Sequence, residues 1–191
     1  SSAVDTVVTF FPQNLRLRTE GGAIISLNTT IVVGESAPSE DVLSAGLLLN
    51  SLLIPLNKRV FTVIEHDLTP EMAANDHLIL IGNSSIHSRL ASYTSEEDAL
   101  PSYVSKLLFT STDRTHTLII LGKDSFYRRK AAYALANYDY YDLSSSPLCI
   151  SGSPSVLEDI IFVECAHLDQ FNDPALPEYH PIAPPPPESA P

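Results

Sequence analysis

Three short runs of Ile, Leu and Val, each closed by a glycine, constrain this chain more than any other feature: "TIVVG" (30–34), "HLILIG" (77–82) and "TLIILG" (117–122). A strand that is apolar at every position buries both faces, so each run fits the interior of a sheet covered by helices on either side. A helix-start signal follows each glycine. Ser36 is placed to cap a first helix with Pro38 in its first turn, Ser84 or Asn83 a second, and Asp124 a third.

The first helix carries Val42, Ala45, Leu48, Leu49 and Leu52 at helical spacing. The third carries Phe126, Lys130, Tyr133, Ala134 and Asn137 around Ala131, Ala132 and Ala136, so both can lie flat on a sheet. "KRVFTVIEH" (58–66) reads as a further strand and "PSYVSKLLFTS" (101–111) as a further helix. The order β-α-β-β-α-α-β-α predicts an α/β domain over residues 29–145, a three-layer, mostly parallel sheet with flanking helices and right-handed crossovers.

The ends differ in character. Residues 1–28 alternate locally around a Gly21-Gly22 break and predict antiparallel strands. Residues 146–171 contain "VLEDIIFVECAHL" (156–168), expected as a strand that carries Cys165 at an edge or in a second small sheet. Residues 172–191, "NDPALPEYHPIAPPPPESAP", are too rich in proline for regular structure and should be extended, with polyproline II character. Tyr179, Ile182 and the prolines give this tail apolar surface, so docking on a neighbouring subunit is expected, with packing on its own domain as the competing account.

Charge narrows the function. Lys and Arg number 11 against 23 Asp and Glu, a net charge of −12 that disfavours nucleic-acid phosphates and anionic lipid as partners. The longest apolar stretch, Leu43 to Leu56, is interrupted by Asn50 and Pro55 and is shorter than the ~20 residues that span a bilayer. The chain starts Ser1-Ser2-Ala3 without a Met, which a removed secretory signal would explain. Cys149 and Cys165 lie in neither a C-x-x-C nor a zinc pattern; in an extracellular chain they should pair, and the alternative is two unrelated buried thiols. Asn28 and Asn83 open N-x-S/T sequons beside strand ends and are expected to carry glycans.

A strand, a glycine and a helix start also build phosphate sites. Gly34 lacks the partner glycines of G-x-G-x-x-G and the lysine of a P-loop, while Glu35, Glu40 and Asp41 favour the helix dipole and repel an anion. "GNSSIHS" (82–88) lacks the G-x-S-x-G of a nucleophile elbow, so Ser84 and Ser85 read as caps. His66-Asp67 and Asp76-His77 form no H-E-x-x-H pair, so zinc is not expected, while "SEED" (95–98) could supply oxygen ligands to calcium although the D-x-D-x-D-G pattern is missing. No catalytic, cofactor or metal residue is assigned. "GKDSFYRRK" (122–130) sets Lys123, Arg128, Arg129 and Lys130 together, either as a surface for an anionic partner or as a solvated helix face. "YALANYDYYDL" (133–143) gathers Tyr133, Tyr138, Tyr140 and Tyr141, which suit an interface or the packing of a helix end.

Taken in order, "TTIVVGESAPSEDVLSAGLLLNSL", "NDHLILIGNSSIHSRLAS" and "THTLIILGKDSFYRRKAAYALANYD" resemble the S-layer-like domains of archaeal cell-surface proteins. The resemblance covers residues 29–142, with Asp41-Val42 after Gly34 and the ending Ala134-Leu135-Ala136-Asn137-Tyr138 as its most specific parts. The second strand departs from it, with the single Gly82 where the family often has two glycines, and the chain is much smaller than a typical S-layer subunit. The resemblance implies an extracellular, secreted, glycosylated structural protein that assembles with itself, with no catalytic residues to carry over. The expected function is therefore a homopolymer forming a surface layer, sheath or filament, with Tyr179, Ile182, Arg128, Arg129, Tyr140 and Tyr141 as assembly contacts. The alternative is an extracellular binding module that recognises cell-wall polymer or glycan through the loops after Gly34, Gly82 and Gly122.

Overall fold

The computed structural model describes residues 3–4, 11–15, 17–112, 114–143 and 147–181. The elements are β1 (Ala3–Val4), β2 (Leu17–Glu20), β3 (Ala23–Ser26), β4 (Thr29–Val33), α1 (Ser39–Leu52), β5 (Val60–Ile64), α2 (Pro70–Asn75) and β6 (His77–Gly82). There follow α3 (Thr94–Asp98), β7 (Ser105–Ser111), β8 (His116–Gly122), α4 (Ser125–Ala136), β9 (Leu148–Ser151) and β10 (Ile161–Val163).

One sheet runs β10-β9-β7-β8-β6-β4-β5, with β1 beside β7. The three apolar runs lie in its interior as β4, β6 and β8, and β5, β4, β6 and β8 are parallel neighbours. The other half is antiparallel: β7 pairs with β1, β8 and β9, and β9 with β10. The sheet is thus mixed rather than mostly parallel. The cause lies in residues 101–111, expected as a helix: 101–104 make a turn and Ser105–Ser111 form β7. A tight connection joins β7 to β8, closed by Thr112 N–H donating to the Thr115 carbonyl (2.9 Å) and by Thr115 N–H donating to the Thr112 hydroxyl. A connection that short returns the chain antiparallel to its neighbour.

Side chains alternate across the sheet and sort into two cores. Ile31, Val33, Ile79, Ile81, Leu118 and Ile120 pack under α1 and α4 with Leu48, Leu52, Ala131 and Leu135. Val32, Leu78, Leu80, Ile119 and Leu121 face the other way, against Leu90, Leu68 and Tyr93. This is the three-layer arrangement that strands apolar on both faces require.

Helix starts follow the sequence unevenly. Asp124 caps α4, its carboxylate accepting from Phe126 N–H at 2.8 Å. Pro38, not Ser36, sits at the α1 N-cap, without a side-chain cap. The buried stripe of α1 is Asp41, Ser44, Ala45, Leu48 and Leu52, and Val42, expected on it, is 56 % exposed. After Gly82 the chain makes a turn and a 3-10 segment, Ser88–Tyr93, before the short α3, so neither Ser84 nor Asn83 caps a helix there.

The terminal segments are local. β2 and β3 form the expected antiparallel hairpin, turned by Gly21 and Gly22 at φ +57° and +83°, the left-handed conformation such a two-residue turn needs. The expected strand at 156–168 shortens to β10 on the sheet edge, and Cys165 falls in the 3-10 segment after it, Cys165–Gln170. Residues 172–181 fold as successive turns rather than as an extended rod, with Leu176 N–H donating to the Asp173 carbonyl and Tyr179 N–H to that of Leu176.

Candidate functional site

Open α/β sheets bind ligands at the carboxyl ends of their strands, where adjacent connections leave on opposite faces. Here that point lies between β4, whose chain leaves toward α1, and β6, whose chain leaves toward Leu90. The loop after β6 crosses directly over Gly34: a Cβ at Gly34 would sit 2.0 Å from the Ile86 carbonyl oxygen. Only a glycine permits that approach. The crevice is filled by the protein's own backbone.

A polar brace holds this loop. Glu65, just after β5, accepts from Ser88 N–H, the Ser88 hydroxyl and Arg89 N–H at 2.8–3.1 Å. Burial pushes its carboxyl up, but those hydrogen bonds outweigh it and hold the group below the usual carboxylate range. His87 is buried, with Nδ1 2.9 Å from Glu65 Oε2, a contact that is an ion pair only when the imidazole is protonated. Desolvation pulls the imidazole below its ordinary value against the pull of Glu65. Behind the loop, buried Glu97 accepts from Ser84 N–H (2.8 Å), so one acid of "SEED" braces the interior. Glu35 accepts from His66 N–H at 2.9 Å.

The basic cluster of α4 is not a surface. Arg128 is 1 % exposed and Asp41 fully buried. Arg128 Nε and Nη2 donate to the two Asp41 carboxylate oxygens at 2.9 and 2.8 Å, and Nη1 donates to the Gly122 carbonyl at 2.7 Å. Arg128 therefore offers no contact to another molecule, contrary to the sequence expectation. Arg129 pairs with Glu40 at 3.0 Å and is partly covered. Lys130 is fully buried, donating to the carbonyls of Val156 and Asp159. Burial lowers its ammonium to about 8, with Asp159 and Glu158 pulling the other way. Three consecutive helical residues spread over more than half the helix circumference, so "RRK" could not all face solvent. That spacing was the available signal for an inward-facing base.

Lys130 ties down the C-terminal segment. Tyr127 donates to the Gly152 carbonyl at 2.9 Å, and Asp159 accepts from Ser153 N–H and from the Tyr179 hydroxyl. A Cβ at Gly152, which sits at φ +132°, would lie 1.9 Å from the Asp159 carbonyl oxygen. Cys149 and Cys165 are joined in a disulfide across 16 positions. Tyr103 packs at a tilt against the Phe171 ring, with centroids 6.1 Å apart, and donates to the Phe171 carbonyl.

The remaining expected contacts are dispersed. Tyr140 is exposed and packs edge-on against Tyr141, which in turn meets Tyr133 and Phe162. Tyr179 lies against Asp159 of its own chain, and Ile182 is outside the described residues. Asn28 accepts from Arg59 at 3.2 Å, and Asn83 folds back on Ser85 in an Asx turn. His77 stacks on His116, and Asp76 accepts from the Thr30 hydroxyl. Among the described residues no cluster of three or more ligating side chains is arranged for a metal. No helix there is long and apolar enough to cross a membrane.

No protein-family model matches the chain, and no curated protein matches it significantly.

Proposed function

We propose that this chain is a secreted, non-catalytic structural subunit that assembles with its own copies into a cell-surface layer, sheath or filament. The observation that carries the reading is the closed crevice at the sheet's switch point, where Ile86 occupies the space over Gly34 that a ligand would take in a binding protein or enzyme of this architecture. The charged groups around it are spent internally, Arg128 on Asp41 and Glu65 on the 86–89 loop. The disulfide supports an oxidising, extracellular setting. The sequons at Asn28 and Asn83 and the resemblance of residues 29–142 to archaeal S-layer domains point the same way.

Negative-stain imaging and size-exclusion of native material test the reading. Regular polymers are expected, and a stable monomer that retains glycan favours the binding-module alternative instead. Glycopeptides at Asn28 and Asn83 are expected from the same material. Residues 182–191, including Ile182, are proposed as a connector to a neighbouring subunit. Deleting them leaves the Tyr179 contact with Asp159 intact, and assembly unchanged by that deletion removes the connector.

A further inference from the structure

Strand β5 ends the main sheet, and among the described residues it pairs only with β4. Thr29 N–H donates to the Arg59 carbonyl at 2.9 Å, and Thr29 stands opposite Val60 in the parallel register. Backbone groups alternate sides along a strand, so Arg59, Phe61 and Val63 bond to β4 while Val60, Thr62 and Ile64 turn theirs outward. Nothing within the strand protects this row. Val60–Ile64 contains neither proline nor charge, and Phe61 and Ile64 are 47 % and 44 % exposed.

The edge is complementary to itself. Under a two-fold axis at Thr62, two copies meet antiparallel with Thr62 opposite Thr62 and Val60 opposite Ile64, which are the residues whose backbone groups point out. Phe61 then falls opposite Val63 on one face and Ile64 opposite Val60 on the other, covering both exposed side chains. The flanks match as well. Exposed Lys58 and Arg59 precede the strand and exposed Asp67 follows it, so the axis sets a cationic end against an acidic one. Copies of a chain with net charge −12 repel on approach, and along this edge the local signs attract.

We propose that β5 is a homotypic docking edge, to which a second copy of this chain adds antiparallel about Thr62 so that the sheet continues from one molecule into the next. The proposal builds on the self-assembly reading and assigns it one interface. Because a two-fold contact closes on itself, this edge alone yields dimers, and longer assemblies need a second surface.

Sedimentation velocity on the full chain over a concentration series tests it. The wild type is expected to associate and Thr62→Pro to lose that association, since the Thr62 N–H is not used inside the sheet and an edge strand tolerates proline there. If Thr62→Pro fails to fold, two further variants decide. Lys58→Glu should weaken association, with Asp67→Lys in the same chain restoring it. Thr62→Cys should form a covalent dimer on mild oxidation, because opposed hydrogen-bonded residues stand about 5.5 Å apart at Cα, within disulfide reach. Val42→Cys, on the exposed side of α1, should not. Folded Thr62→Pro or Lys58→Glu chains that associate like the wild type, or Thr62→Cys that cross-links no more than Val42→Cys, overturn the proposal. Cross-linked dimers without polymers support the edge and refute the polymer reading. Polymers indifferent to all three variants refute the edge and leave that reading standing, and a wild type monomeric at every concentration refutes both.

Discussion

Removing the Asp41 carboxylate is the sharpest single perturbation this fold offers. Asp41→Leu leaves Arg128 with its Gly122 bond alone, a buried cation cut off from its counter-ion. Two charge-assisted bonds of about 1.5–3 kcal/mol each are lost. Breaking a buried pair from one side costs about 3–5 kcal/mol once the surroundings relax. For a chain of this size that corresponds to roughly 6–20 °C in melting temperature. Arg128→Met should be destabilising too, because the Asp41 carboxylate then stays buried between α1 and α4 without its partner. Asp41→Leu combined with Arg128→Met replaces both charges with apolar groups and is expected within about 1–2 kcal/mol of the wild type, so the cycle should be strongly non-additive. Urea unfolding followed by circular dichroism, with the disulfide kept oxidised, measures all four proteins. Additive single effects, or a single variant within about 1 kcal/mol of the wild type, refute the reasoning.

Mass spectrometry of unreduced peptides should find Cys149 linked to Cys165, and replacing both with Ser should cost about 3 kcal/mol, as closure of a loop of that length predicts. Gly34→Ala drives a methyl into the Ile86 carbonyl and should cost about 1–3 kcal/mol or more, while Gly46→Ala, where a Cβ meets nothing within 4 Å, should not destabilise; equal stabilities would show that the 83–87 loop yields freely. For Lys130 the folded pKa, about 8, lies below that of an unfolded lysine, so its cost is fully present below pH 8 and relieved above it. Between about pH 8 and 10 the wild type should gain on the order of 2 kcal/mol relative to Lys130→Met, and parallel stability curves would contradict this. Tyr127, Tyr141 and Tyr179, all raised chiefly by burial, should lower the stability of both proteins as unfolded tyrosines ionise above about pH 10, leaving the difference between them in place.

The interior strands were legible in the sequence because a run such as "HLILIG" is apolar on both faces and has no stable place except between two layers. The Gly21-Gly22 hairpin, the Asp124 cap and the Cys149–Cys165 pair were legible for similar reasons: each depends on a few neighbouring residues or on the presence of two thiols alone. Residues 101–111 were not, since a short apolar run carries no period that separates a buried helix from a buried strand, and β8 decided the matter by pairing with it. Arg128 and Asp41, 87 positions apart, each look like an ordinary polar residue near a helix start. Local pattern reports which groups prefer burial and which dihedrals are cheap. Which carboxylate meets which guanidinium follows from how α1 crosses α4 on the sheet, and that crossing is a property of the packed chain and of no segment within it.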